Sequence, residues 1–350
     1  MAAFSNVQSG TVTLSGASNT ATVSSFDTAK AILTMTYSGD AGTTNFERAQ
    51  VTAAITNSTT LTFERDSTGG TITIQWYLAE FTSGVTTQQG TFASADFSSG
   101  VADKTISTVG AHAFPQVWAR NSNADIDEDL FTGYLSSTTN LKLETRGTTI
   151  ANQNGVWQVY DVTGSATVQS GSFNMGTTPA ADTVTISSVD TSTSALFFSF
   201  RANSVFSNIV SPSIIKGELT NSTTITFERD TTGESFIVEW YVVTWTDGTT
   251  VKRGSVSMDS STTSASASIS ITAADSIVYI GGINNTGGIS AEISNDLYTA
   301  LAHVSALSNS NITLTRGDNG GVSCVIPYQI IDFSAATGGG ATFIPRVMFF

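Results

Sequence analysis

Fourteen residues of this chain occur twice: TNSTTLTFERDSTG at Thr56–Gly69 returns as TNSTTITFERDTTG at Thr220–Gly233, with Leu61 against Ile225 and Ser67 against Thr231 as the two differences. Self-similarity of this kind marks an array of like units rather than one large core. It also limits what the chain advertises, because repeats of Ser, Thr and β-branched residues describe a scaffold and no reaction.

The long match is the clearest copy of a weaker pattern. Arg65, Arg146, Arg229 and Arg316 each follow an apolar alternation (LTFER, LKLETR, ITFER, ITLTR). Eleven residues beyond them stand Trp76, Trp157, Trp240 and Pro327, followed by Tyr77, Gln158, Tyr241 and Tyr328. Twenty-five residues beyond the first three arginines comes a glycine, Gly90, Gly171 or Gly254, closing a polar motif (TQQG, VQSG, VKRG); VQSG ending in Gly10 opens the chain. VSSFD, ISTVG, ISSVD and ITAAD, ending at Asp27, Gly110, Asp190 and Asp275, complete the pattern.

The arginine spacings of 81, 83 and 87 give four units of roughly 80–90 residues. Copies one and three share FERD and NSTT, whereas copies two and four share TRG and DLFT or DLYT, as expected of a duplicated two-unit block. The expected boundaries are 1–82, 83–164, 165–246 and 247–334, with a Gly-linked apolar arm at 335–350.

Period-2 alternation dominates, as in TITIQWYLAEF and SFIVEWYVVTW, and helical pattern is nearly absent. The chain is therefore expected to be all-β, each unit a six- or seven-stranded antiparallel sandwich or barrel. Asp247-Gly248, between the Trp strand and the Gly strand, is a strong hairpin signal. If those strands pair across every turn, hairpins link successive units and leave two edges open, at NVQSG and at VIPYQIIDF. The two would then close a ring or be capped by another chain.

Charged residues are 12% of the chain against 40% hydrophobic, the opposite of a disordered composition. A net charge of −14 with 14 scattered basic residues argues against nucleic acid as a partner. No apolar run approaches the ~18 residues that suggest a membrane span. The start, MAAFSNVQSG, lacks the basic and apolar regions of a secretory signal, so synthesis and folding in a cytoplasm are expected. Cys324, the single cysteine, lies in an apolar strand and reads as a small buried hydrophobe.

The repeated arginines read as strand-end residues paired within their own units, with Asp27, Asp190 and Asp275 as candidate partners, ahead of a repeated anion or carbohydrate contact. Trp76, Trp157 and Trp240 read as core. The acidic run Asp125–Asp129 has oxygen ligands at alternate positions but lacks the glycine and distal glutamate of an EF-hand loop, and reads as a solvated loop. His112 and His303 lie in different units, leaving no Ser-His-Asp, Cys-His or zinc constellation, and nothing points to a catalytic carboxylate pair. No enzyme, metal or cofactor is expected. Asn57, Asn221 and Asn311 read as turn residues. The C-terminal residues Phe343, Ile344, Val347, Met348, Phe349 and Phe350 are a candidate assembly arm, since that much apolar surface needs a buried partner.

The order VQxG, ISSVD, LTFER and EWYVV, covering Val7 to Phe333, is similar to repeats in virion structural proteins of tailed bacteriophages, of the tail-fibre, head-fibre and decoration kinds. That resemblance implies a non-enzymatic component of the virion acting by assembly, with other virion proteins and copies of itself as partners. A host-surface glycan is a further partner to expect. No binding residue carries over. The competing expectation is a bacterial surface adhesin or carbohydrate-binding array.

Overall fold

The computed structural model describes residues 3–40, 46–122, 130–147, 152–203, 215–230, 232–286, 301–318 and 321–336. Unit one contains β1 (Ala3–Leu14), β2 (Ser18–Thr22), β3 (Ala31–Gly39), a single helical turn α1 (Phe46–Ala49), β4 (Thr52–Asn57), β5 (Thr60–Glu64) and β6 (Ile72–Ser83). Unit two contains β7 (Thr86–Ala93), β8 (Val101–Thr105), β9 (Ala113–Asn121), β10 (Thr132–Ser137), β11 (Asn140–Glu144) and β12 (Gln153–Asp161). Unit three runs through β13 (Ala166–Met175), β14 (Ala181–Thr185), β15 (Ser194–Ala202), β16 (Lys216–Asn221), β17 (Thr224–Glu228) and β18 (Phe236–Trp245). Unit four has β19 (Thr250–Met258), β20 (Ser264–Ser268), β21 (Ser276–Ile280), β22 (Asn284–Thr286), β23 (Ala302–Leu307), β24 (Asn311–Arg316) and β25 (Ser323–Asp332).

Each unit makes two antiparallel sheets. The larger places the Trp strand between the Gly strand and the third strand, as in β1-β6-β3; the smaller places the fifth strand between the second and fourth, as in β2-β5-β4. Unit four repeats this, with β22 extending its larger sheet. The chain is thus all-β, with paired sheets and no closed barrel among the described residues. Period-2 burial explains the pairing: Leu61 and Phe63, Leu141 and Leu143, Ile225 and Phe227, Ile312 and Leu314 point inward at matching positions and are fully buried. Burying one such side chain contributes about 1.5–3 kcal/mol.

The expected hairpin between Trp strand and Gly strand does not form. β6 pairs with β1 and β3, β12 with β7 and β9, and β18 with β13 and β15. Each Gly strand therefore opens its own unit, and NVQSG has its partner within unit one. The Asp-Gly turn is real, with Asp247 Oδ1 accepting the Thr249 N–H at 3.0 Å, but it joins two separate sheets.

Register explains the repeated motifs. Gly10, Gly90, Gly171 and Gly254 lie opposite Trp76, Trp157, Trp240 and Tyr328. The ring covers the glycine in each case: a Cβ on Gly90 would sit 2.4 Å from Trp157 Cζ2, and one on Gly171 2.7 Å from Trp240 Cζ2. Tyr328, and not Pro327, is thus the fourth member of the tryptophan series. The glutamine of VQxG clasps a backbone residue of the following segment. Ser24, Ser107 and Ser187 donate N–H to Gln8, Gln88 and Gln169 at 2.6, 2.6 and 2.9 Å, and their carbonyls accept from the same amides at 3.0, 2.9 and 3.0 Å. Asn57 and Asn221 close the tight turns they were expected to make, each accepting from the N–H two residues on at 2.9 Å.

The four units touch in order and the array closes. The fourth strand of each unit meets the larger sheet of the next. Gly133 N–H donates to Ser199 Oγ at 3.0 Å, Gly217 N–H to the Gly281 carbonyl at 2.8 Å, and Val304 N–H to Thr36 Oγ1 at 3.0 Å, the last bond joining unit four to unit one. Between units one and two, Arg120 bridges Glu64 and Asp66. Heterologous contacts that return to their starting point make a ring. Phe4 stacks on Phe333 at 5.3 Å across the closing junction.

Candidate functional site

The repeated arginine is buried at Arg65, Arg229 and Arg316, each 1% exposed. The guanidinium does not meet Asp27, Asp190 or Asp275. Arg65 donates to the carbonyls of Ser15, Gly16, Gly69 and Gly70 at 2.9–3.2 Å, tying the turn after β1 to the turn before β6. Arg229 reaches Gly176, Pro179 and Glu234 carbonyls, and Arg316 those of Asp259 and Thr262. Asp27 and Asp190 instead hold their own turns, accepting from Ala29 N–H and Ser192 N–H. Arg146 is not a member of this set: Thr145, whose N–H meets the Gly100 carbonyl as Arg65 N–H meets Ala17, occupies the buried position in unit two. The repeated arginine is structural.

Trp76, Trp157 and Trp240 are core, 5–8% exposed, and Cys324 is buried with its thiol pushed up by desolvation. His303 faces Ser38 across the closing junction, Nδ1 to Oγ 2.8 Å, and burial holds it below its ordinary value. His112 belongs to another unit. Asp125–Asp129 and the arm residues Phe343, Ile344, Val347, Met348, Phe349 and Phe350 lie outside the described residues. Among the described residues no cluster of His, Cys, Asp and Glu could hold a metal ion, and no helix is long and apolar enough to cross a membrane.

Two features were not visible in the sequence. The first is a carboxylate pair where units two and three meet. Glu144 binds Arg201 at 3.1 Å and Tyr134 Oη at 2.8 Å, while Glu239 nearby is raised above its ordinary value by burial and then by the charge of Glu144. With Arg201 neutralising one member, the arrangement fastens a junction. The second is a cleft of about 330 Å³ to which all four units contribute, lined among others by Tyr37, Trp118, Phe131, Phe198, Gln116 and Ile280. Its described lining holds no charged side chain, and Gln116 Oε1 is buried there without a partner. Met35, Val117, Phe198 and Ile280 sit at one register position of the third strands, and because the four differ, no shared motif marks the cleft.

Fold and geometry together define a closed array of four two-sheet β units in one chain. Neither protein-family models nor the curated proteins give a match to it.

Proposed function

We propose that the chain is a non-enzymatic structural component of a tailed-phage virion, acting by assembly and surface presentation. One observation carries the reading: the polar groups that recur from unit to unit are bonded to backbone within their own unit. Arg65, Arg229 and Arg316 hold carbonyls, and Gln8, Gln88 and Gln169 hold a backbone N–H and C=O. Repetition has been spent on rigidity. The sequence resemblance and the apolar segment beyond Ala336 support attachment to other virion proteins or to further copies of the chain.

The test is the solution mass, by light scattering after size exclusion, of the full chain and of a chain lacking residues 337–350. The expected outcome is an assembly that dissociates into folded monomers when the segment is removed. Unchanged assembly would sink the arm.

A carbohydrate-binding array is the second reading, favoured by the aromatic, uncharged cleft to which the four units contribute. Full-length monomers whose mass is independent of residues 337–350, and which retain glycans, would shift the conclusion to it.

A further inference from the structure

The chain repeatedly solves one problem with one group. A strand edge exposes the N–H and C=O of a residue on the same side, and a primary carboxamide, which carries an acceptor and a syn N–H donor, satisfies both. Beyond the three VQxG glutamines, Gln329 clasps Leu196 (2.7 and 2.8 Å) across the junction of units three and four. Gln89 clasps Ile55 across the junction of units one and two.

Ile55 has counterparts set by register. Ile55 pairs with Leu61, Leu135 with Leu141 and Leu219 with Ile225. Ile55 is capped by Gln89, and Leu135 N–H by Tyr241 Oη at 3.1 Å. At Leu219 neither cap is available. The residue before the glycine, Gln89 in unit two, is Arg253 in unit four, and its Nη1 is directed to the Thr191 and Ser194 carbonyls at 2.6 and 2.9 Å. The residue in the place of Tyr241 is Gln329, already engaged with Leu196. Gly217, two residues back on the same edge, bonds outward to Gly281, which fixes the outward direction for Leu219 as well. Where the cap would stand there is a pocket of about 300 Å³ lined by Leu219, Glu218, Arg253, Gly254 and Tyr328, with a tyrosine in place of the tryptophan of the other three units.

We propose that this pocket is a binding site for a primary carboxamide, the side chain of a glutamine or asparagine on a partner polypeptide, which bonds Leu219 N–H and C=O as Gln89 bonds Ile55. The site does not depend on where the protein works, so it can stand or fall apart from the virion reading.

The test is an NMR titration of the full-length protein with the tripeptide Gly-Gln-Gly, following backbone amides. The expected result is a saturable shift of the Leu219 amide, with a dissociation constant on the order of 1 mM, and no shift at Ile55, which is already clasped. Gly-Met-Gly, of similar shape but without the amide, should give none. The variant Arg253→Gln should supply the missing cap from within and abolish the response. The proposal is overturned by no saturable change at Leu219, by an equal response to the methionine peptide, or by stronger binding of Gly-Glu-Gly, which would mark an anion site at Arg253.

Discussion

Arg229 shows how a residue that looks functional is claimed by the fold. A guanidinium offers five donors in a fixed fork, and a turn without regular pairing offers carbonyls that need them. Here Gly176, Pro179 and Glu234 supply those carbonyls, and the ring of Phe236 lies 5.7 Å from the charged carbon. Replacing Arg229 with Met keeps the apolar stem and orphans the carbonyls, so urea unfolding should show a loss of about 2–4 kcal/mol. The same change at Arg146, outside the buried position, should cost less. The sequence pattern located three of these arginines correctly. It misplaced the fourth because Thr145 intervenes, and a one-residue insertion is invisible when neighbouring residues are also of the right type. The same slip assigned the tryptophan position to Pro327 instead of Tyr328.

At the scale of strands, alternation was enough to read the all-β class and the six or seven strands per unit. What alternation could not give was pairing. A turn such as Thr246–Gly248 is equally compatible with strands that fold back on each other and with strands that part into different sheets, and the deciding contacts are made by residues some 70 positions away, as between Gly10 and Trp76. That pairing makes the motif glycines testable. Gly90→Ala places a methyl against Trp157 in a packed core and should cost about 1–3 kcal/mol. Gly16→Ala, where a Cβ would meet nothing within 4 Å, should stay within about 0.5 kcal/mol in the same denaturation assay. The cleft and the Leu219 pocket were illegible for a related reason: their residues come from equivalent positions that hold different side chains.

For the whole molecule, three junctions lie between units joined by a turn of chain, and the one between units four and one does not. That seam carries His303, facing Ser38 on β3 and bonded along its own sheet to Thr315 on β24. Its imidazole is held neutral by burial, below its ordinary 6.5. With the folded value depressed, the unfolded chain takes up the proton first, so the stabilising contribution is complete above pH ~6.5 and is lost as pH falls below that value. The melting temperature of the native chain should therefore drop more steeply below pH 6.5 than that of His303→Asn, and parallel curves would show that the seam does not titrate.

With Phe4 stacked on Phe333, the beginning and end of the array are neighbours, and the junction between them is built like the other three. The order of the units is therefore a cycle. A circular permutant with the old termini joined and a new opening at Thr246–Gly248 would contain the same sheets and the same four junctions, with the break moved to lie between units three and four. The architecture by itself does not set which unit comes first.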